Sequence, residues 1–400
     1  MKKSLFKKII SLVLIGSMIF VSACNNTSTA HSDDKNVVEK INENETTVEG
    51  QDEEVESNTH MVIDHLDKMV EVPNEINRVV VTDIYPLVSV LSIFFDSADK
   101  IVGMAPPSMV AAKNSILTEL YPSLLNAKTD FISGANLNIE ELVKLNPDVV
   151  IYPASGAAEG EQLANAGIPA VAISVNKWDY NAIETLNNWI SLLDDVFMAN
   201  EKADKVREYS EKIYDDVQNR IATLSEEDKR KAFFLFQYSD TNIMTSGKNF
   251  FGNWWAEAIG AKNVAVELEK DNSVAVNMEQ IYKWNPDLIY ITNFNTATPD
   301  DLYNNTVGTY DWSEVDAVKN KQCFKMPLGM YRTYTPGVDT PITLYYLAKI
   351  AYPDLFNDID MSSEVKKYYK DVFGIDLTDE QVNKIFNPSV NAGAGFSNGK

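Results

Sequence analysis

Two cationic side chains and a group of aromatic ones are the residues of this sequence best suited to holding a small molecule. Arg332 lies between Tyr331 and Tyr334, in a stretch that follows a predicted strand. A guanidinium there could pair with an anionic or carbonyl-bearing chelate through several donors, or it could be an ordinary surface arginine. Lys248, in the stretch TSGK, could hold an anion or belong to a simple turn. Because TSGK lacks the leading glycine of a P-loop, it does not indicate nucleotide binding.

An aromatic cluster follows that turn: Phe250, Phe251, Trp254 and Trp255. Aromatic residues at this spacing belong to a core more often than to a ligand site. Phe250 and Phe251 come first after the turn, so these are the two that we expect to face a cleft. Aromatic walls of this kind suit large apolar ligands.

The residue types that are missing argue against several functions. The three histidines are His31, His60 and His65, and all precede the predicted folded body. We therefore expect no site for bare Zn²⁺ or Mn²⁺. With no histidine, no G-x-S-x-G motif and no convincing carboxylate pair in that body, the sequence does not predict an enzyme. The formal charge of −23 argues against nucleic-acid binding, because phosphates would meet no neutralising surface.

The first 59 residues are predicted to anchor and tether the protein. Four early lysines, an apolar run over 9–21 and small residues before Cys24 form the pattern of a bacterial lipoprotein signal. The apolar run is too short for a comfortable membrane span. This pattern implies cleavage before Cys24 and diacylation of its thiol, with a plain secretory signal as the alternative. Ten acids and two lysines over 25–59 predict an extended, disordered tether.

The rest of the chain predicts an α/β fold. Strands alternate with helices, which is the order expected for a parallel sheet. Ligands of such sheets bind beyond the carboxyl ends of the strands. The residues expected at that edge of the first sheet are Tyr85, Pro86, Met104, Pro106 and residues 153–156.

Two related segments lie on either side of one long amphipathic helix, predicted at 201–224. NIEELVKLNPDVVIYP at 138–153 and NMEQIYKWNPDLIYIT at 277–292 are offset by 139 residues. Each reads as a short helix, an Asn-Pro-Asp break and an apolar strand, which predicts two similar lobes joined by the helix. The predicted divisions are a signal peptide at 1–23, a tether at 24–59, an N-terminal lobe at 60–199, the bridging helix at 200–225, a C-terminal lobe at 226–388 and a disordered tail at 389–400.

In this order the segments resemble the substrate-binding lipoproteins of ABC importers for iron complexes and corrinoids, which have two Rossmann-like lobes with mainly parallel sheets joined by one rigid helix. The resemblance covers about 62–356 and is carried by VIDHLDKMVEVPNEINRVVV, the paired NPD units, TSGK and TPGVDTPITLYYLAKIAYPDLF. The chain departs from the metal-ion members of that group, which use histidines.

This resemblance implies a monomeric extracytoplasmic protein, anchored to the cell membrane through Cys24, that delivers a ligand to a permease and its ATPase. The implied ligand is an iron chelate of the siderophore type, with haem or a corrinoid as alternatives, and no intrinsic cofactor is expected. A surface adhesin is a third interpretation. The residues expected to line the cleft include few basic side chains, which favours a neutral or weakly charged ligand.

The resemblance also assigns cleft residues. Tyr85, Tyr238 and Phe294 follow strand ends at the family's cleft positions, where a tyrosinate could also ligate ferric iron. The full set expected to bind the ligand is Tyr85, Met104, Tyr238, Lys248, Phe250, Phe294, Arg332 and Tyr334.

Relatives in this group present an acidic residue on the outer tip of each lobe to the permease. The matching positions are Glu159 or Glu161 in the first lobe and Asp300 or Asp301 in the second. The alternative for each is an ordinary solvated surface acid.

Overall fold

The structure, a computed structural model, describes residues 57–134, 136–198 and 201–394, with side chains from residue 204 onward in the last range. The N-terminal lobe contains eight strands, six α-helices and one 3₁₀ helix. Its strands are β1 Thr59–Ile63, β2 Met69–Pro73, β3 Val79–Val81, β4 Ile101–Met104, β5 Ile132–Ser133, β6 Asn136–Leu137, β7 Val149–Pro153 and β8 Ala170–Ile173. Its helices are α1 Leu87–Phe94, α2 Pro106–Lys113, α3 Leu117–Leu120, a 3₁₀ helix at Pro122–Asn126, α4 Ile139–Lys144, α5 Ala157–Asn165 and α6 Ala182–Phe197.

A long helix, α7 Glu201–Ile221, leads into the C-terminal lobe. The strands of that lobe are β9 Lys231–Leu235, β10 Gln237–Tyr238, β11 Ile243–Ser246, β12 Lys262–Asn263, β13 Ser273–Val276, β14 Leu288–Ile291 and β15 Cys323–Lys325. Its helices are α8 Phe251–Ala258, α9 Met278–Trp284, α10 Pro299–Tyr303, α11 Asp316–Lys319, α12 Thr340–Ala351, α13 Met361–Phe373, α14 Asp379–Phe386 and a 3₁₀ helix at Val390–Gly393.

Each lobe is built on a parallel sheet of four strands. The strand order is β4-β3-β7-β8 in the first sheet and β12-β9-β14-β15 in the second. β7 (VVIYP) and β14 (LIYI) are buried at every position, as expected for central strands of a sheet that is covered on both faces. The prediction of two α/β lobes with mainly parallel sheets, joined by one long helix, is confirmed.

The apolar stretch at 231–238, KAFFLFQY, forms two strands that are separated by a break at Phe236. β9 ends at Leu235, and β10 pairs with β11 in a separate antiparallel sheet that also contains β13. The Phe236 N–H donates to the carbonyl of Met244 at 2.9 Å, so this residue already belongs to the second pairing. The break brings Phe236 to the carboxyl edge of the parallel sheet.

The Asn-Pro-Asp breaks in the two related segments carry the same hydrogen bonds in both lobes. Asp148 accepts from the backbone N–H groups of Asn77 and Arg78 at 2.7 and 2.8 Å. Asp287 accepts from the N–H of Lys231 at 2.7 Å. Each carboxylate therefore holds the start of the neighbouring strand, β3 or β9, to the start of its own strand.

In each lobe, a cationic side chain at the start of that neighbouring strand donates hydrogen bonds to carbonyl groups at the C-terminal end of the helix that precedes the break. The Arg78 guanidinium donates to the carbonyl of Leu145 at 2.6 Å, and the Lys231 ammonium donates to the carbonyl of Trp284 at 3.2 Å. These carbonyls belong to the last turns of α4 and α9, where a positive group is favourable. The sequence repeat thus encodes one helix-to-strand joint, used twice.

α7 ends three residues earlier than predicted but has the predicted buried face. Val206, Ile213 and Val217 are buried. The helix packs against α6 of the N-terminal lobe and against α8, α12 and α13 that follow it. At 21 residues it is about 32 Å long. Asn200, which precedes the helix, lies outside the described residues.

The structure corrects two expectations about the ends of the folded body. Within the tail at 389–400, expected to be disordered, residues 390–393 form the 3₁₀ helix Val390–Gly393, in which Ala392 is fully buried, and 395–400 lie outside the described residues. His60 lies in β1, and His65 lies in the hairpin loop, where its Nδ1 accepts from the Ser174 N–H at 3.0 Å. The signal peptide, Cys24 and most of the predicted tether fall within 1–56, outside the described residues. Within the described residues, no helix is long and apolar enough to cross a bilayer.

The hydrogen bonds of the repeated helix-to-strand joint predict how much stability is lost when its carboxylate is removed. Asp148→Ala should lower the free energy of unfolding by about 2 kcal/mol, because two N–H groups lose a charged acceptor. Urea denaturation measures this loss. Asp215→Ala, on the exposed face of α7, is the matched control and should change stability by less than about 0.5 kcal/mol. Equal effects of the two substitutions would mean that the joint does not stabilise the lobe.

Candidate functional site

A cavity of about 260 Å³ lies where the carboxyl ends of the two parallel sheets face each other. Loops that follow β3, β7 and β8 form one wall, and loops that follow β9, β11, β14 and β15 form the other. The lining residues are Asp83, Ile84, Tyr85, Pro86, Pro153, Ser155, Val175, Tyr180 and Trp189 from the N-terminal lobe, and Phe236, Phe250, Phe251, Asn272, Phe294, Thr335 and Pro336 from the C-terminal lobe.

The wall on the C-terminal lobe is a set of packed aromatic rings. The Phe236 ring lies 4.9 Å from that of Phe294 and 5.2 Å from that of Phe250, centroid to centroid. Tyr334 lies behind these rings, fully buried, and its hydroxyl accepts from the Gly252 N–H at 3.0 Å. Phe250 and Phe294 thus reach the cavity as expected, whereas Tyr334 supports them from within the core.

The wall on the N-terminal lobe adds hydrogen-bonding groups. Tyr85 lines the cavity, and burial together with the nearby Asp83 carboxylate raises the pKa of its phenol well above the usual range. The phenol therefore keeps its proton at neutral pH and shares a hydrogen bond with the Asp83 carboxylate. Pro86, Pro153 and Ser155 also line the cavity, in agreement with the edge expected from the sequence.

The two lobes touch at the front of the cavity. The Tyr180 ring meets those of Phe250 and Phe251 edge to face, with centroids 5.6 and 5.1 Å apart. Its hydroxyl donates to the Asn272 side chain at 3.5 Å. These contacts narrow the opening between the lobes, so a larger ligand has to move them apart. Sequence reasoning missed Tyr180 because its loop after β8 has no distinguishing pattern.

Arg332 does not stand exposed in the cleft, and that expectation is wrong. Its side chain is 1% exposed and lies behind the aromatic wall. Nε donates to the carbonyls of Asn293 and Ala392 at 2.9 and 3.0 Å, and Nη2 donates to the Ala392 carbonyl at 2.6 Å. Nη1 lies 3.3 Å from the carbonyl of Pro107 in the N-terminal lobe. The guanidinium also lies over the Phe294 ring, 5.0 Å from its centroid.

Three other residues expected at the site lie elsewhere. Lys248 is exposed and pairs with Glu269 at 3.0 Å on the surface. Met104 is fully buried in the core of the N-terminal lobe, where it ends the edge strand β4 and packs within the hydrophobic cluster. The Tyr238 hydroxyl accepts from the Trp312 indole at 2.9 Å in a separate core cluster. The break at Phe236 carries Tyr238 away from the cavity.

The acids expected to contact a permease fall into two groups. Glu161 and Asp300 are exposed. Asp301 caps α10, accepting from the Thr298 N–H at 2.8 Å, and this bonding lowers the pKa of its carboxyl. Glu159 is partly buried beside the cavity wall, and burial raises the pKa of its carboxyl.

The cavity carries little charge, and most of the side chains that line it are apolar. Asp83 is the one charged side chain among the described residues that line the cavity. No group of three or more His, Cys, Asp or Glu side chains within the described residues is placed to hold a metal ion. The cavity is therefore suited to a ligand with apolar faces and hydrogen-bonding groups, positioned between aromatic rings.

The burial of Arg332 predicts that its removal lowers the stability of the fold. Arg332→Ala should lower the free energy of unfolding by roughly 3 kcal/mol, because a buried group that bonds several carbonyls is lost. Arg332→Lys should recover only part, since an ammonium cannot reproduce the planar fork. Arg207→Ala, on a half-exposed arginine of α7, is the control and should have little effect on thermal melting. An unchanged melting temperature together with lost ligand binding would instead indicate that Arg332 contacts the ligand.

Comparison with known proteins agrees with this architecture. A protein-family model described as "Periplasmic binding protein" matches residues 95–328, more than half of the chain. The molybdate-binding protein MolA of Haemophilus influenzae is 26% identical over 333 residues, which cover 78% of this chain and 90% of MolA. YvrC of Bacillus subtilis, an uncharacterized ABC transporter substrate-binding lipoprotein, is 27% identical over 265 residues, 65% of this chain and 76% of YvrC.

Among solved structures, a periplasmic solute binding protein from Veillonella parvula superposes with a TM-score of 0.73. The sequences are 31% identical, and the match covers 84% of this chain and 98% of that protein. The resemblance seen in the sequence is confirmed at the level of the family, whose members bind solutes for transport and are not enzymes. The chain belongs to the periplasmic binding protein family.

Proposed function

We propose that this ABC-transporter substrate-binding protein captures a neutral or cationic metal chelate, of the iron–siderophore type, in the cavity between its lobes. The observation that carries the proposal is the lining: packed aromatic rings, a protonated phenol and a single carboxylate, Asp83. A chelate encloses its metal in organic ligand, so its outer surface is largely apolar with carbonyl and hydroxyl groups. Aromatic rings and the Tyr85 hydroxyl match such a surface.

A bare oxyanion fits this lining poorly. Molybdate, the ligand named for MolA, carries a concentrated negative charge that side-chain cations would stabilise. The cations expected there from the sequence are engaged elsewhere, with Arg332 on backbone carbonyls and Lys248 on Glu269. The carboxylate of Asp83 would repel an oxyanion. We therefore propose that this chain differs from MolA in ligand while sharing its fold.

Haem is the second candidate, with Tyr85 as the residue that could ligate its iron. The ligand would be the tyrosinate, so binding would have to displace the proton that the raised pKa of this phenol retains. The cavity of about 260 Å³ is small for haem or a corrinoid, so either would require the contacts of Tyr180 with Phe250 and Phe251 to separate. A ferric hydroxamate chelate has nearly the mass of haem, so it too would require these contacts to separate.

A panel of probes tests the proposal by calorimetry on the full chain. The probes are the ferric complex of desferrioxamine B, which carries a pendant ammonium, its neutral N-acetyl derivative, haemin, cyanocobalamin and sodium molybdate. At least one of the two ferric desferrioxamine complexes should bind with Kd of about 1 μM or lower. Phe294→Ala should weaken that binding about tenfold, because a ring of the cavity wall is lost. Tyr282→Ala, outside the cavity, is the control. Binding of molybdate alone would refute the proposal.

Two exposed acids are the proposed contacts with the permease. We assign this role to Glu161 in the N-terminal lobe and Asp300 in the C-terminal lobe, since the carboxylates of Glu159 and Asp301 are partly buried. Reversing both to Lys should leave chelate affinity unchanged and reduce uptake of ⁵⁵Fe chelate by cells more than tenfold, because charge pairs across an interface become repulsive. Glu211→Lys on α7 is the control. Normal uptake by the double variant would remove these residues from the interface.

The anchor is the remaining part of the proposal. The motif before Cys24 supports cleavage at that residue and diacylation of its thiol, which would hold the protein at the outer face of the cell membrane. Intact-mass measurement on protein from cell membranes tests this. A processed chain without added lipid would exclude the anchor.

A further inference from the structure

The C-terminal end of the chain leaves its own lobe and crosses to the other one. We define the C-terminal strap as residues 379–394, which contain α14 and the 3₁₀ helix Val390–Gly393. Its first part belongs to the C-terminal lobe. The Ile385 carbonyl accepts from the Leu328 N–H at 2.9 Å, and the Phe386 ring stacks on Tyr346 with centroids 5.6 Å apart.

The outer side of the strap contacts the N-terminal lobe. The Lys384 ammonium lies 2.8 Å from the Glu119 carboxylate, and the Ser389 hydroxyl donates to the Asn114 side chain at 3.3 Å. The 3₁₀ helix packs against α2 of the same lobe. The strap therefore spans the two lobes.

The inner end of the strap is fixed by its backbone. The Ala392 carbonyl is the acceptor of two hydrogen bonds from Arg332, and the same guanidinium reaches the Pro107 carbonyl in α2. At the next residue, Gly393, the strap is packed too closely against the C-terminal lobe to leave room for a side chain. A Cβ added to Gly393 would lie 2.2 Å from the carbonyl oxygen of Asn295.

Arg332 joins this end of the strap to the cavity wall. Its Nε also donates to the Asn293 carbonyl at 2.9 Å, and its planar group covers the Phe294 ring. Phe294 lines the cavity. If the strap were displaced, the buried guanidinium would lose the Ala392 carbonyl as an acceptor. A buried charged donor without an acceptor costs free energy. The strap and the Phe294 loop must therefore move together.

We propose that the C-terminal strap holds the two lobes together behind the cavity, and that Arg332 is the positioning residue that couples the strap to the Phe294 wall. Opening of the cavity then requires α2 to separate from residues 390–393 or to carry them with it. The strap thereby sets how readily the lobes part and how quickly a bound ligand leaves. This inference goes beyond the proposed function and does not depend on the identity of the ligand.

Hydrogen–deuterium exchange on the full chain tests the proposal. A stop after Asn387 removes 388–400, and a stop after Ala394 removes only 395–400 and is the matched control. The first should speed exchange of amides at 108–113 and 292–297 about tenfold, because local opening becomes easier there. Exchange in the central strand β14 should not change. The control should match the full chain at all three places.

Two pairs of point variants separate coupling from general stability. Gly393→Ala should reproduce the exchange pattern of the first truncation, whereas Ala394→Ser, at an exposed neighbour, should not. Arg332→Lys keeps the charge and should loosen 292–297 less than Arg332→Ala does. Faster exchange throughout the protein, including β14, after the loss of 388–400 would overturn the proposal, because the strap would then only support folding. Unchanged exchange at 108–113 after the loss of 388–400 would overturn it as well.

Discussion

A guanidinium can be buried only if its N–H groups find acceptors, and Arg332 obtains them from three separate parts of the chain. The carbonyls come from Asn293 in the C-terminal lobe, Pro107 in the N-terminal lobe and Ala392 near the C-terminus. Leaving such a charge unsatisfied would cost several kcal/mol. This one requirement ties the aromatic wall, the position of the lobes and the last described turn of the chain into a single arrangement.

The same requirement shapes the chemistry of the cavity. Because the Arg332 charge is directed to backbone carbonyls behind the wall, the lining described here offers aromatic faces, a phenol and one carboxylate. The family includes the molybdate-binding MolA, whose ligand differs greatly in charge from an iron chelate. The fold alone does not decide the ligand, and the side chains at the strand ends do. In this chain they favour a neutral or cationic molecule with apolar faces.

The sequence predicted the features that depend on local pattern. Strand and helix alternation placed the cavity edge, and Tyr85, Phe250 and Phe294 were found there. The Asn-Pro-Asp repeat predicted two similar lobes because each copy reads as a short helix, a break and an apolar strand. Arg332 was misplaced because its acceptors lie as far as 225 residues away in the chain, and no local pattern reports them. Tyr238 was misplaced because the strand before it breaks at Phe236, which hydrophobicity does not reveal.

The central claim is that the cavity holds a chelate rather than a bare ion. Native mass spectrometry of the protein, isolated from cells supplied with both ferric chelates and molybdate, tests it most directly, because any retained ligand is weighed on the protein. We expect a single added mass that equals an iron-containing organic complex, present in equimolar amount. An added mass equal to molybdate, with no organic component, would contradict the account.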